Sequence, residues 1–210
     1  MEGIVTAPAI DGACDADYRG APLPANEVDR LSRLEGLKIL QSSRTDARLD
    51  NATRIVAALF DAPIALVSIV YDDQQWFKSR VGLEDCFTDR RSSFCAHMFI
   101  PESPSDASML VVDDCLADPR FMNNPLVMGD KEFRYYAGSP LVTSDGLRLG
   151  ALCVIDRVPR RTTPALAQCL VNFSCIASQE VEREELMSVG ANVPASLRGG
   201  APPTTMDFAA

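Results

Sequence analysis

From Pro63 to Tyr71 the chain reads PIALVSIVY, and this run limits the possible folds more than any other stretch. A strand with one wet face alternates apolar and polar residues. Here both parities are apolar, with Ser68 as the single polar break, so the strand belongs inside a sheet covered on both faces. Even extended to Ala62–Tyr71 it is the longest apolar run in the chain, strand-sized and far short of the roughly 20 residues needed to span a bilayer.

The segments on either side of this strand supply the rest of an α+β fold. Asp72-Asp73 makes a turn, and QQWFKSRVG returns with period-two alternation as a hairpin partner. SFCAHMFI reads as a short helix capped by Ser92 or Ser93. MLVVDD is a strand and DCLADPRFMNNPLVMG a long connection. FRYYAGSPLV and LRLGALCVID are two further strands joined at Asp145-Gly146. Upstream, Val28, Leu31, Leu34, Leu37 and Leu40, with Ile39 adjoining, predict an apolar helix stripe. A second helix is expected over Leu49–Phe60 with Ile55, Val56, Leu59 and Phe60 buried. Thr163-Pro164 starts a last helix carrying Leu166, Leu170, Phe173 and Ala177 on one face, and it turns polar after Ala177. Hairpins dominate, so the predicted sheet is mostly antiparallel, with the terminal helices packed together on one face.

Residues 1–25 and 189–210 are rich in Pro and Gly without apolar period and read as disordered tails, leaving one domain over 26–188. The whole chain has 210 residues, enough for one core without disulfides or a structural metal. Its net charge of −9 argues against nucleic acid and anionic membranes as partners. The acidic start lacks the charged and apolar regions of a signal peptide. The expected location is therefore cytoplasmic, with the seven cysteines mostly as thiols.

Six blocks in order, RLEGLKIL, LDNATRIVAALFDAP, APIALVSIVYDDQQWFKSRVGL, SSFCAHMF, LVVDDCLADPRFMNNPLV and FRYYAGSPLVTSDGLRLGALCVID, resemble GAF domains of the kind found N-terminal in sensor histidine kinases and diguanylate cyclases. The resemblance covers roughly residues 26–185. It implies terminal helices on one face of the sheet, a ligand bowl on the other, and small-molecule sensing or dimerisation, without fixing the ligand or any cofactor. The residues expected at the bowl are Phe94, Cys95, Asp118, Arg120, Phe121 and Tyr136.

Specialised members of that family are told apart by particular residues. Cyclic-nucleotide binders resemble one another in an Asn-Lys…Phe…Asp-Glu motif; at Asn172-Phe173 the Lys and the acidic pair are missing. Bilin binders place a Cys directly before a His, whereas Ala96 separates Cys95 from His97, the single histidine. Residues two apart on a helix point away from one another, so Cys95 is expected in the core and His97 at the surface or locally hydrogen-bonded. The free methionine-R-sulfoxide reductases use loop cysteines, and Cys86, Cys95 and Cys115 fall in comparable regions near Arg90, Arg91 and Arg120. The two aspartates before Cys115 would raise its thiol pKa, and the reductases' His-bearing segment is missing. No Cys/His spacing suits a metal. Asp118 before Pro119 starts a turn. Arg120 either pins the long loop to a carboxylate, the favoured reading, or grips an anionic ligand. Phe133, Tyr135 and Ala137 share one face of their strand and Tyr136 and Gly138 the other; which meets the bowl stays open. Trp76 reads as a packed aromatic, and Gly138 and Gly150 as points of close backbone approach.

No kinase, cyclase or effector sequence follows the last helix. The expectation is thus a non-catalytic, stand-alone sensory module in signal transduction of the phosphorelay type. It would bind an unknown small molecule or a partner, be homodimeric through its terminal helices, and hand its signal to a kinase or cyclase output protein in trans. The alternatives are a thiol redox enzyme or sensor, and a ligand-free adaptor.

Overall fold

A computed structural model describes residues 18–37, 46–100 and 108–191, with the backbone alone for 184–191. The expected central strand is β1 (Ile64–Val70), every residue of which is buried. It turns at Asp72-Asp73 into β2 (Gln74–Val81), whose side chains alternate between the two faces, and β3 (Phe87–Asp89) pairs with β2 at the sheet edge. After β4 (Leu110–Val112), the chain returns through β5 (Tyr135–Val142) and β6 (Arg148–Asp156). The order across the sheet is β3-β2-β1-β6-β5-β4, and every pairing is antiparallel. Two meanders therefore meet at β1 and β6, which explains why both central strands lack a polar face.

Helices α1 (Glu27–Leu37), α2 (Ala47–Phe60) and α4 (Pro164–Ala191) cover one face. Leu34, Leu37, Leu49, Val56, Phe60, Leu170 and Ala177 pack there on Val67, Ile69, Ala137, Leu152 and Val154. Asp46 caps α2 by accepting from the Arg48 amide at 2.7 Å, and Thr163 caps α4 by accepting from the Leu166 amide at 3.3 Å. Ser174 pins α4 to β5 by donating to the Pro140 carbonyl at 2.7 Å. No helix among the described residues is long and apolar enough to cross a membrane.

Two helix stripes differ from expectation. Val28 is 77% exposed, while Arg30, one turn before Leu34, is 1% exposed. A three-residue step falls about 60° short of a full turn. The series Leu37, Leu34, Leu31, Val28 therefore drifts to the far side of α1, while Arg30, seven residues before Leu37, returns to its face. Ile39 and Leu40 lie outside the described residues. On α2 the buried set is Leu49, Ala52, Thr53, Val56, Ala57 and Phe60, leaving Ile55 and Leu59 half-exposed. The long connection also contains a one-turn helix, α3 (Pro125–Met128), capped by Asn124.

The buried Arg30 is held by a cluster that joins α1 to the β1–β2 turn. Its Nε and Nη2 donate to Glu27 at 2.8 and 2.7 Å, Nη1 donates to the Val70 carbonyl, and the guanidinium lies over the Phe99 ring, 4.7 Å from its centre. Arg90, also buried, donates to Glu27 at 2.5 Å and to the Tyr71 and Asp72 carbonyls at 3.1 and 3.0 Å. Glu27 is thus shared by two guanidinium groups. Burial pushes its carboxyl up, but the hydrogen bonds and charges of Arg30 and Arg90 outweigh that and hold it at about 2.

Candidate functional site

The face opposite the helices is where a bowl was expected. Its floor is Leu66, Val70, Phe77, Tyr136, Ala151, Cys153 and Ile155, and its cover is the 3₁₀ turn Cys95–Phe99 with the long connection. Tyr136 faces this side while Tyr135 and Ala137 face the helices, which settles the orientation of β5. Phe133, one residue short of the strand's regular alternation, packs with Tyr136 rather than with Tyr135.

The turn bearing Cys95 begins with Ser93, whose hydroxyl accepts from the Ala96 amide at 3.1 Å. It is 3₁₀ rather than α. This turn sets Phe94 between two rings, with Phe121 stacked at 4.3 Å on one side and Tyr136 at 5.0 Å on the other. All three rings are buried. Gly138 makes the stack possible, because a Cβ there would collide with the Tyr136 hydroxyl and ring. Gly150 does the same for the β1–β6 seam, where a Cβ would collide with the Ser68 carbonyl.

Cys95 and His97 point to different surroundings, as their spacing required. His97 packs edge-on against Phe121 at 4.7 Å, and its Nε2 is buried without a hydrogen-bond partner. Burial first, and then the Arg120 charge, push its pKa down to about 4 despite Asp118. It is a half-buried packing group, neutral near pH 7.

Asp118 and Arg120 stand at the rim of the stack. Asp118 starts a turn by accepting from the Arg120 amide at 2.9 Å, and its carboxylate takes Arg120 Nε and Nη2 at 3.0 and 2.7 Å. The guanidinium also lies 5.3 Å from the centre of the Phe121 ring. Asn124 adds a tie across the loop. Its buried amide donates to the Ser92 carbonyl and to the Tyr18 hydroxyl, both at 3.0 Å, and its Oδ1 accepts from the Leu126 amide at 2.8 Å. Arg120→Ala is expected to cost only about 0.5–1 kcal/mol, read as a small drop in melting temperature. A melting temperature unchanged together with lost binding of an anionic ligand would restore Arg120 as a ligand contact.

Around Cys95 the structure gathers Tyr136, which the resemblance placed at the bowl, with Ser68 and Gln75, which it did not. Ser68 Oγ lies 3.2 Å from its sulfur, Gln75 Nε2 donates at 3.5 Å, and the Tyr136 hydroxyl lies at 3.2 Å. Cys153 packs in the same cluster and lines the same small cavity. Burial pushes the Cys95 thiol up, but Cys153, Ser68, Tyr136 and Gln75 outweigh it and bring it below the ordinary thiol value. Cys153, next to it, is pushed up. Cys115 behaves oppositely to Cys95, because burial, Asp114 and Asp118 raise it to about 12 against the pull of Arg134. Cys86 is half-buried, and neither it nor Cys115 is among the groups bonded to the Cys95 sulfur. No cluster of metal-ligating side chains occurs among the described residues.

Three spaces border the stack; one, of about 90 Å³, is lined by Ala96, His97, Met98, Leu110 and Arg120. Between the floor and the loops, a cavity of about 20 Å³ touches Gln75, Thr88, Cys95, Lys131, Tyr136 and Cys153, room for roughly one water molecule. Beside it, an open groove of about 990 Å³ runs along β3 and α3, lined by Leu23, Phe87, Arg90 and Arg91 among others. Trp76 packs on Phe87 across the β2–β3 pair at 5.4 Å.

Comparison with known proteins follows the same lines. The family model described as GAF domain matches residues 44–179. Over 139 residues the chain is 40% identical to a protein of Pseudomonas aeruginosa named cyclic di-GMP phosphodiesterase PA2567, a match spanning 66% of this chain and 23% of that one. Among solved structures, a domain of a putative two-component sensor histidine kinase from Sinorhizobium meliloti superposes with TM-score 0.55 at 11% identity, over 71% of this chain and 99% of that one. A type II free methionine-R-sulfoxide reductase from Thermoplasma acidophilum superposes with TM-score 0.53 at 9% identity, over 70% of this chain and 96% of that one. Both structural likenesses concern the fold alone.

Proposed function

Since the chain belongs to the GAF domain family, we propose that it is a non-catalytic signalling module that works through contact with another protein, its bowl closed to metabolites by its own side chains. The observation that carries this reading is the Tyr136–Phe94–Phe121 stack. Beside it the bowl keeps cavities of about 20 and 90 Å³, where a pocket for a metabolite needs roughly 300–1,000 Å³. The adjoining groove, with Leu23 and Phe87 beside Asp89, Arg90, Arg91 and Lys131, has the mixed apolar and charged lining of a protein-docking surface. Half-exposed Ile55 and Leu59 on α2 and exposed Ile176 on α4 suit a second copy of the chain against the terminal helices. The resemblance to a protein named as a cyclic di-GMP phosphodiesterase favours cyclic di-GMP turnover as the output such a module regulates. Native mass spectrometry of protein purified from a cell extract tests the reading: the expected spectrum is a dimer with no added mass. A small mass that leaves on denaturation would overturn the closed bowl in favour of a bound ligand.

A further inference from the structure

Four strands place polar groups around one sulfur carried by a turn above them. Ser68 comes from β1, beside the register shift between Val67 and Ser68, Gln75 from β2, Tyr136 from β5, Cys153 from β6, and Cys95 from the 3₁₀ turn above them. Gln75 Nε2 donates to the Cys95 sulfur at 3.5 Å, and the Ser68 and Tyr136 hydroxyls approach it at 3.2 Å. The Ser68 proton can turn to the sulfur or to the Ala151 carbonyl, 3.3 Å away. A neutral thiol is a weak acceptor, so the Gln75 amide, and the Ser68 and Tyr136 hydroxyls when they turn to the sulfur, have a weak partner there. A thiolate satisfies them, and that is the arrangement which activates a cysteine.

The sulfur is also within reach of a guest. Cys95, Cys153, Gln75 and Tyr136 line the cavity of about 20 Å³ together with Thr88 and Lys131, and Thr88, Leu126 and Lys131 line the open groove as well. Thr88 is 5% exposed, and its Oγ1 has no hydrogen-bond partner, a polar atom left over at a space that it lines with Gln75, Asp85 and Lys131. A space of this size admits a molecule little larger than water and shuts out glutathione or a disulfide.

We propose that Cys95 and Cys153 form a peroxide-reactive thiol pair, in which hydrogen peroxide oxidises Cys95 and Cys153 then closes a disulfide with it. The Cys95 thiolate attacks one peroxide oxygen. The O–O bond breaks, its electron pair leaves with the other oxygen, and that hydroxide takes up the proton lost from the thiol, giving water and a sulfenic acid. The Cys153 sulfur attacks the sulfenic sulfur, the S–O bond breaks, and the hydroxyl leaves with the Cys153 proton as a second water. Two thiols and one peroxide thus become one disulfide and two waters. This site goes beyond the docking reading and is independent of it, because an empty or filled spectrum in the native mass experiment leaves the thiol chemistry unchanged.

The test treats the full chain with a modest excess of hydrogen peroxide, then alkylates free thiols and maps the peptides by mass. The expected result is a loss of two hydrogens with the Cys95 and Cys153 peptides joined. In Cys153→Ser the reaction should stop at one added oxygen on Cys95, trapped by a sulfenic-acid reagent. Gln75→Leu, which removes one donor, should slow Cys95 oxidation by about tenfold, the effect of roughly one pKa unit. If the untreated variants fail to fold, the wild-type map decides alone. Cys95 left reduced while exposed Cys175 is oxidised, or Cys95 joined to any cysteine other than Cys153, overturns the proposal.

Discussion

Phe94→Ala is expected to lower stability by about 3–5 kcal/mol, the cost of deleting a buried aromatic from a site that cannot collapse around the loss. Collapse is barred on each side. Phe121 is fixed by the loop that Asn124 ties to Ser92, and Tyr136 is folded over Gly138 on the buried β5. The two stacked contacts, at 4.3 and 5.0 Å, contribute about 0.5–1.5 kcal/mol each beyond the area they bury. Urea unfolding of Phe94→Ala and Phe94→Leu measures the effect, and the leucine variant should retain a good part of it. The alanine variant should in addition take up a small apolar guest that the wild type refuses, since the void it opens sits in the bowl. A loss below about 1 kcal/mol would mean that the ring does not close the bowl, and the docking reading would lose its main support.

Glu27→Gln is expected to cost about 3 kcal/mol at neutral pH, because it strips the shared carboxylate from two buried guanidinium groups. Arg30 would keep the Val70 carbonyl and the Phe99 ring, and Arg90 the Tyr71 and Asp72 carbonyls, but neither would keep a counter-charge on α1. The effect carries a pH signature. The folded carboxyl titrates at about 2, below its ordinary 4.5, so its contribution is complete above pH 4.5 and is lost as the pH falls through that range toward 2. Unfolding curves of wild type and Glu27→Gln should therefore lie well apart at pH 7 and converge near pH 2. Parallel curves across that range would place the stabilisation in packing rather than in charge.

The strands were legible from the residues because their signals are local. PIALVSIVY needs no knowledge of its neighbours to be a buried strand, and Asp72-Asp73 and Asp145-Gly146 mark turns by their own chemistry. Arg30 was not legible. A count of apolar residues passes over an arginine, and the Arg90 that shares its carboxylate lies 63 residues from Glu27. The aromatic part of the bowl followed from the resemblance on FCAHMF, DPRF and RYYAG, and the structure brings Phe94, Phe121 and Tyr136 into one stack. Cys153 stayed hidden because β6 is buried from Leu149 to Asp156. Where every position is inside, alternation has no contrast with which to mark the one side chain that meets Cys95. Ser68 was visible as the break in the central run, but its target sits on a turn that only the folded sheet brings near.

The seam between β1 and β6 has a kinetic meaning. Within each three-stranded meander the paired strands follow one another along the chain, β4 and β5 across the long connection and the others through short turns, so its contacts are closer in sequence than those of the seam. The seam is different, since Ser68 and Ala151, which face one another across it, are 83 residues apart. Joining the halves closes a long loop before any seam contact offsets the lost entropy. It also requires the backbone at Gly150 to slide beneath the Ser68 carbonyl, where even a methyl group would collide. The slow step of folding thus falls at the centre of the sheet, and until it is complete the most apolar strands in the chain stand unpaired along one side.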